Sequence, residues 1–397
     1  MRIGVAGAID DIPAAEWDAC ACDNARLPPG GDADNPFVRH AFLRALEVSR
    51  SAAPAAGWQP LHLLVHDDEG RLAAAAPCYL KGDSQGEYVF DHAWADAYER
   101  AGGRYYPKLL VAVPFTPATG PRLLAREGPR REEALASLVA GLRALRAETR
   151  ASSVHVNFAQ DDEVQRLSQA GFLPRIDCQY HWLNEGYGSF EDFLSVLASR
   201  KRKAIRRERR EAVAAGVTIE RLRGGDILPE HWDAFFRFYR NTGMRKWGRP
   251  YLTRAFYDEI GRTFADRVLL VMARREGRYI AGAINFIGRD TLFGRHWGAV
   301  EEHPFLHFEV CYYQAIDFAI ETGLKRVEAG AQGEHKLARG YRPTLTRSAH
   351  DIADPALRCA VADYLAQERP AVEREMQALE TETPFRKQEP HGGSHSA

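Results

Sequence analysis

Hydrophobic and polar positions along the chain fall into two similar series. The first begins with a strand, a helix around Ala14–Cys22, a loop at Pro28-Pro29-Gly30-Gly31 and a helix near His40–Ser49. Two strand-like runs follow, Leu61–His66 and Leu72–Leu80, and Asp67-Asp68-Glu69-Gly70 between them is hairpin chemistry. Tyr88–Pro117 is aromatic and irregular. An amphipathic helix is expected over Arg131–Arg150, a strand over Val154–Phe158, a helix over Glu163–Ala170 and a strand over Gln179–Leu183.

The second series repeats that order. Phe190–Arg200 and Arg202–Ala215 read as helices, Val217–Arg221 as a strand and His231–Thr242 as a helix. Val268–Arg275 and Tyr279–Ile287 form a second hairpin-like pair, and Thr291–Ala299 is a further strand. A helix over Phe308–Thr322 ends at Gly323, and a strand over Arg326–Ala329 closes the series. The recurrence predicts an α+β protein with two copies of one unit, residues 1–185 and 186–385, and a disordered tail at 386–397.

Composition adds little to this picture until the charge is mapped. The 397 residues are 45% hydrophobic and 27% charged, with a net charge of -1, an ordinary globular balance. Residues 1–185 carry 19 basic and 25 acidic side chains, a difference of −6, so the remainder carries +5. The second half is therefore the expected partner of an anionic ligand. The six cysteines are scattered, which points to free thiols and no metal. The first residues do not read as a signal peptide, and no apolar run approaches a membrane span, so a cytoplasmic location is expected.

Chemistry concentrates in Glu328–Pro343, where Gln332, Glu334, His335, Lys336 and Arg339 sit among Gly330, Gly333 and Gly340 just after the closing strand. Glu334 or His335 could serve an amine as base, and Lys336 and Arg339 could hold an anion. An internal salt-bridge cluster explains the same residues equally simply. His307 and Glu309 open a helix and are further base candidates, although Glu309 also suits the helix dipole. His296 and Trp297 lie on opposite faces of a strand, so one lines a cleft and the other packs. Arg200–Arg210 holds eight cations in eleven residues. Arg202, Arg206 and Arg210 are its candidate phosphate contacts, set against a solvated face balanced by Glu208 and Glu211.

Several stretches together carry a family resemblance. They include Asn35-Pro36-Phe37, Gly57-Trp58-Gln59-Pro60, Gly86-Glu87-Tyr88-Val89-Phe90-Asp91, Tyr105-Tyr106-Pro107-Lys108-Leu109 and Val113-Pro114-Phe115-Thr116-Pro117. Thr119-Gly120-Pro121-Arg122, His307-Phe308-Glu309 and Gly330–Pro343 complete the set. The chain resembles the FemAB-like branch of the GNAT superfamily, a bacterial group tied to peptidoglycan biosynthesis or recognition. The resemblance implies tandem GNAT-like units, each a mixed, mostly antiparallel sheet flanked by helices. It implies transfer of an acyl or aminoacyl group from acyl-CoA or aminoacyl-tRNA to a small-molecule or peptide amine. Alternatives are a non-catalytic module for a cell-wall precursor and an RNA-binding protein. One departure stands out: Ala299–His307 lacks the glycines of the usual pyrophosphate loop and carries Glu301 and Glu302.

Overall fold

The structure, a computed structural model, describes residues 1–22, 34–247, 250–330 and 333–386, and of residues 245–247 and 334 only the backbone. Gln332 and all but the first residue of the expected tail lie outside it.

The first series runs β1 (Arg2–Ala6), α1 (Ala14–Ala21), α2 (His40–Val48), β2 (Trp58–Pro60), β3 (His62–His66) and β4 (Leu72–Ala76). Leu72–Leu80 is not the single strand expected from its apolar run. Pro77 offers no N–H to a ladder, and beyond it the chain enters a different sheet as β5 (Cys78–Lys81). The aromatic stretch holds α3 (His92–Arg100) and β6 (Lys108–Val111). Then come β7 (Leu124–Ala125), α4 (Arg131–Thr149), β8 (Ser153–Asn157), α5 (Asp161–Gln169) and β9 (Leu173–Leu183).

The second series opens with α6 (Phe190–Ser195), α7 (Ser199–Ala212), β10 (Val217–Arg223), α8 (Pro229–Trp247) and α9 (Arg254–Thr263). It continues with β11 (Val268–Arg275), β12 (Arg278–Ile287) and β13 (Thr291–Ala299). The next helix has three parts: α10 (Leu306–Phe308), a π-helical segment Glu309–Tyr313 and α11 (Gln314–Thr322). After β14 (Arg326–Glu328) come β15 (Arg342–Ile352) and α12 (Pro355–Thr381), both beyond the last element the pattern predicts.

Among the described residues, β1-β3-β4-β7 form a small sheet, and eleven strands form a large one in the order β10-β11-β12-β13-β14-β9-β15-β8-β6-β5-β2. The two series interlock at its centre. β9 closes the first series but pairs with β14 of the second, while β15 closes the second and pairs with β8 of the first. β9 and β15 also pair with each other, antiparallel, from Arg342 opposite His181 to His350 opposite Leu173. A core cluster crosses the seam between the series, with Phe37 and Phe42 packed edge-on against Phe286, and Phe37 against Phe293. Each such buried ring contributes roughly 1.5–3 kcal/mol.

Two parallel contacts occupy corresponding places, β6 with β8 and β13 with β14. The β13–β14 contact runs only from Thr291 opposite Arg326 to Phe293 opposite Glu328. Beyond that point the strands separate. On the other side of β13 the register with β12 shifts between Ile284 and Asn285, and Arg295 becomes the extra residue of a bulge. Gly298 lets β13 lie against α8, because a Cβ there would stand 2.2 Å from the Phe238 carbonyl oxygen.

Candidate functional site

The gap between β13 and β14 is a cavity of about 110 Å³. β12 and β13 line it with Asn285, Arg295, His296 and Trp297, and the three-part helix lines it with His307, Cys311 and Tyr312. The π turn matters here. Five residues after His307, an ideal α-helix would carry Tyr312 well off the His307 face. The π segment returns it, and the two rings lie 5.3 Å apart. Trp297 closes on His307 from the strand side at 5.2 Å.

His335 stands at the exposed mouth, its ring 6.0 Å from that of His307. Its Nε2 lies 2.9 Å from the Tyr312 hydroxyl, the tautomer deciding which group donates. Burial raises the Tyr312 hydroxyl well above its ordinary range, so it keeps its proton. At the inner end, burial and then the neighbouring Arg295 hold the His296 imidazole down at about 3, so it is neutral at physiological pH. The His296 ring meets Tyr239 of α8 edge-on at 4.9 Å.

Thus His296, Trp297, His307 and His335 come together around one cavity. Glu309 does not join them. It lies on the opposite face of the helix, where Arg209 bonds both carboxylate oxygens at 3.0 and 3.1 Å and Gln314 donates to one at 2.7 Å. Glu309 therefore clamps α7 to the helix. Arg339 is spent in a similar way: it donates to both oxygens of Glu208 at 3.0 Å and stacks on Phe308, its guanidinium carbon 3.3 Å from the ring centre. The salt-bridge reading of the Glu328–Pro343 run thus describes Arg339.

Lys336 is fully buried and donates to the Gly330 carbonyl at 2.9 Å. Burial lowers its amine to about 7. Glu334 lies in a 3₁₀ turn, Glu334–Arg339. On α7, Arg206 pairs with Glu191, Arg202 bonds the carbonyls of Ser195 and Leu197, and Arg210 is exposed with no ion pair among the described residues. These three line the outer face of the helix, away from the cavity.

Tyr312, Arg295 and Asn285 are cavity residues that the sequence reading missed. Arg295 sits between Gly294 and Gly298, two strand glycines that are a usable signal for a bulge or a close backbone approach. Tyr312 carried no signal, since only the π turn brings it round.

Much of the family signature builds a scaffold instead. Lys108 is buried and bonded to Glu87 at 2.8 Å and Asp91 at 2.5 Å, and Tyr105 donates to Asp91 at 2.7 Å. His155 on β8 meets His350 on β15 through their Nδ1 atoms at 2.7 Å, a bond across the seam. Arg122 is buried among the carbonyls of Ala118, Pro121 and Asn157.

Comparison with known proteins agrees with this architecture. Residues 8–387 match the model of the FemAB-like family, described as peptidoglycan biosynthesis/recognition, and the chain belongs to that family. No curated protein sequence matches. FemX is similar at 13% identity and a TM-score of 0.54, over 91% of this chain and all of that one. A conserved protein of unknown function from Bacteroides thetaiotaomicron is similar at 12% identity and a TM-score of 0.51, over 89% of this chain and all of that one. The C-terminal domain of a lysylphosphatidylglycerol synthetase from Agrobacterium fabrum follows at 11% and 0.50, over 89% and 95%. The fold is the tandem GNAT-like α+β architecture expected from the sequence. Among the described residues no helix is long and apolar enough to cross a membrane, and no His/Cys/Asp/Glu group is arranged to hold a metal ion.

Proposed function

We propose that this protein is an N-acyltransferase, moving an acyl or aminoacyl group onto an amine of a peptidoglycan precursor or peptide. The observation that carries the reading is the cavity between the parting strands β13 and β14, with a bulge on one wall and a helix face bearing His307, Cys311 and Tyr312 on the other. A small carbonyl group fits there, reached from the His335 mouth.

In such a reaction the amine nitrogen attacks the donor carbonyl carbon, loses a proton and displaces a thiolate or an alcohol. His296, neutral and held near 3, is a poor base but a good hydrogen-bond partner for the developing oxyanion. Tyr312 and His335 form a two-member proton relay toward solvent. Positioning would supply most of the acceleration.

The donor is the open variable, and the Ala299–His307 loop bears on it. Glu301 there pairs with Arg275 and His303, both at 3.1 Å. That arrangement places a carboxylate where a pyrophosphate cradle would offer backbone N–H groups. It favours an aminoacyl ester over CoA. The experiment is a matrix of donors, acyl-CoA and aminoacyl-tRNA, against amine-bearing muropeptides, read by mass of the product. Product with either donor, reduced at least tenfold in Tyr312→Phe, supports the reading. Tight muropeptide binding with no product from any donor would replace it with the binding module.

A further inference from the structure

We infer that the inner end of this cavity is a carboxylate site, with Arg295 as the cation that holds a small acid or the carboxyl terminus of a short peptide. The inference rests on the cavity being the substrate site. Its own evidence is the state of Arg295.

Other strongly held cations of the described chain have acidic partners or several carbonyls, apart from Lys336, which has the Gly330 carbonyl and lies in a closed interior. Lys108 has two carboxylates, Arg209 has Glu309 and Asp317, Arg339 has Glu208, and Arg122 is ringed by carbonyl oxygens. Arg295 has neither arrangement. Its guanidinium makes one hydrogen bond, Nη2 to the Phe115 carbonyl at 2.7 Å, and no ion pair among the described residues. Glu328 and the Tyr88 and Tyr239 hydroxyls are near enough to support its charge but do not bond it, and burial lowers its pKa to about 10. A half-buried guanidinium with one protein hydrogen bond keeps unused N–H donors in the cavity wall. Retained in a cavity wall, it is a binding group awaiting its anion.

The geometry narrows the anion. The bulge makes Arg295 an extra residue on β13 and sets it beside His296, whose ring makes no hydrogen bond among the described residues. One edge of the guanidinium is used by Phe115, which leaves a second edge for two parallel N–H bonds to a planar carboxylate. The volume of about 110 Å³ admits an acid with a few non-hydrogen atoms, or the last residue of a short peptide. An acid held there would keep an amine on its own chain near the carbonyl at the strand gap.

The test needs no donor and no turnover. Saturation-transfer NMR on the wild-type protein would follow acetate, acetamide, alanine, alanylalanine, ethylamine and inorganic phosphate. Acetate should saturate with a Kd of about 1 mM, within what four non-hydrogen atoms can supply. Acetamide, the same shape without the charge, should bind at least tenfold more weakly, and ethylamine should not bind. Whichever of alanine and alanylalanine binds more tightly identifies a free amino acid or a peptide terminus as the source. Arg295→Gln should lose acetate binding at least tenfold, and Arg295→Lys should retain part of it.

Equal binding of acetate and acetamide, phosphate binding as tight as acetate, or full binding in a folded Arg295→Gln would each overturn the assignment. The acetate–acetamide comparison stands even if the variants do not fold. Carboxylate binding without acyl transfer would leave the site intact and sink only the transferase reading. Transfer without carboxylate binding would do the reverse.

Discussion

Two buried cations show how single residues divide between holding the fold and serving the site. Arg295 faces a cavity, whereas Lys336 faces one carbonyl oxygen in a closed interior. The Lys336 amine titrates near 7 in the folded chain against 10.5 when free. Its contribution to stability is therefore full above pH 10.5 and is lost as the pH falls toward 7. Urea unfolding of wild type and Lys336→Met, compared from pH 7 to pH 10, should show the wild type gaining about 1.4 kcal/mol for each pH unit relative to the variant. Parallel profiles would mean that the amine is not held neutral. Lys108 is the opposite case, since both of its carboxylate partners are buried with it. Lys108→Ala leaves two unpaired buried carboxylates, and a loss of ~3–5 kcal/mol is expected in the same assay.

At the scale of elements, the three-part helix sorts the chemistry. Its cavity face carries His307, Cys311 and Tyr312, and its outer face carries Glu309 and Asp317 against Arg209 of α7. The cations of α7 had suggested a phosphate-binding surface, and part of that charge is instead internal glue. Glu309→Gln should lower stability by ~3 kcal/mol or more, since it leaves Arg209 half-paired in a buried site. It should not displace the pH dependence of any acyl transfer, whereas a shift in that profile would return Glu309 to the role of base. On the strand side, Gly298→Ala would drive a methyl group into the Phe238 backbone carbonyl. A drop in Tm of several degrees is expected, with β13 moved off α8 and the cavity altered together.

At the scale of the molecule, the exchange of β9 and β15 makes the two series one folding unit. Each supplies the strand that completes the other, and the His155–His350 bond and the Phe37–Phe286 contact lie on that joint. Residues 1–185 and 186–397 expressed separately should each expose a long unpaired strand and fail to give a cooperative unfolding transition, while co-expression should restore a soluble complex. Two well-folded, monomeric halves would show that the seam is dispensable.

The amino-acid pattern by itself determined the repeated α+β order and the two hairpins, because apolar periodicity and turn chemistry act over a few residues, while the family resemblance rested on motif stretches such as Gly86–Asp91 and Gly330–Pro343. It also marked His296, Trp297, His307 and His335 as chemistry-bearing. Only the tertiary structure decided which candidates share a cavity. The π turn at Glu309–Tyr313 brings Tyr312 round, the β13 bulge presents Arg295, and the exchange of closing strands builds the seam behind them. The π turn and the strand exchange leave no local trace, and the bulge leaves only Gly294 and Gly298. Each is set by contacts between segments far apart in the chain, and a pattern read along the chain registers only neighbours.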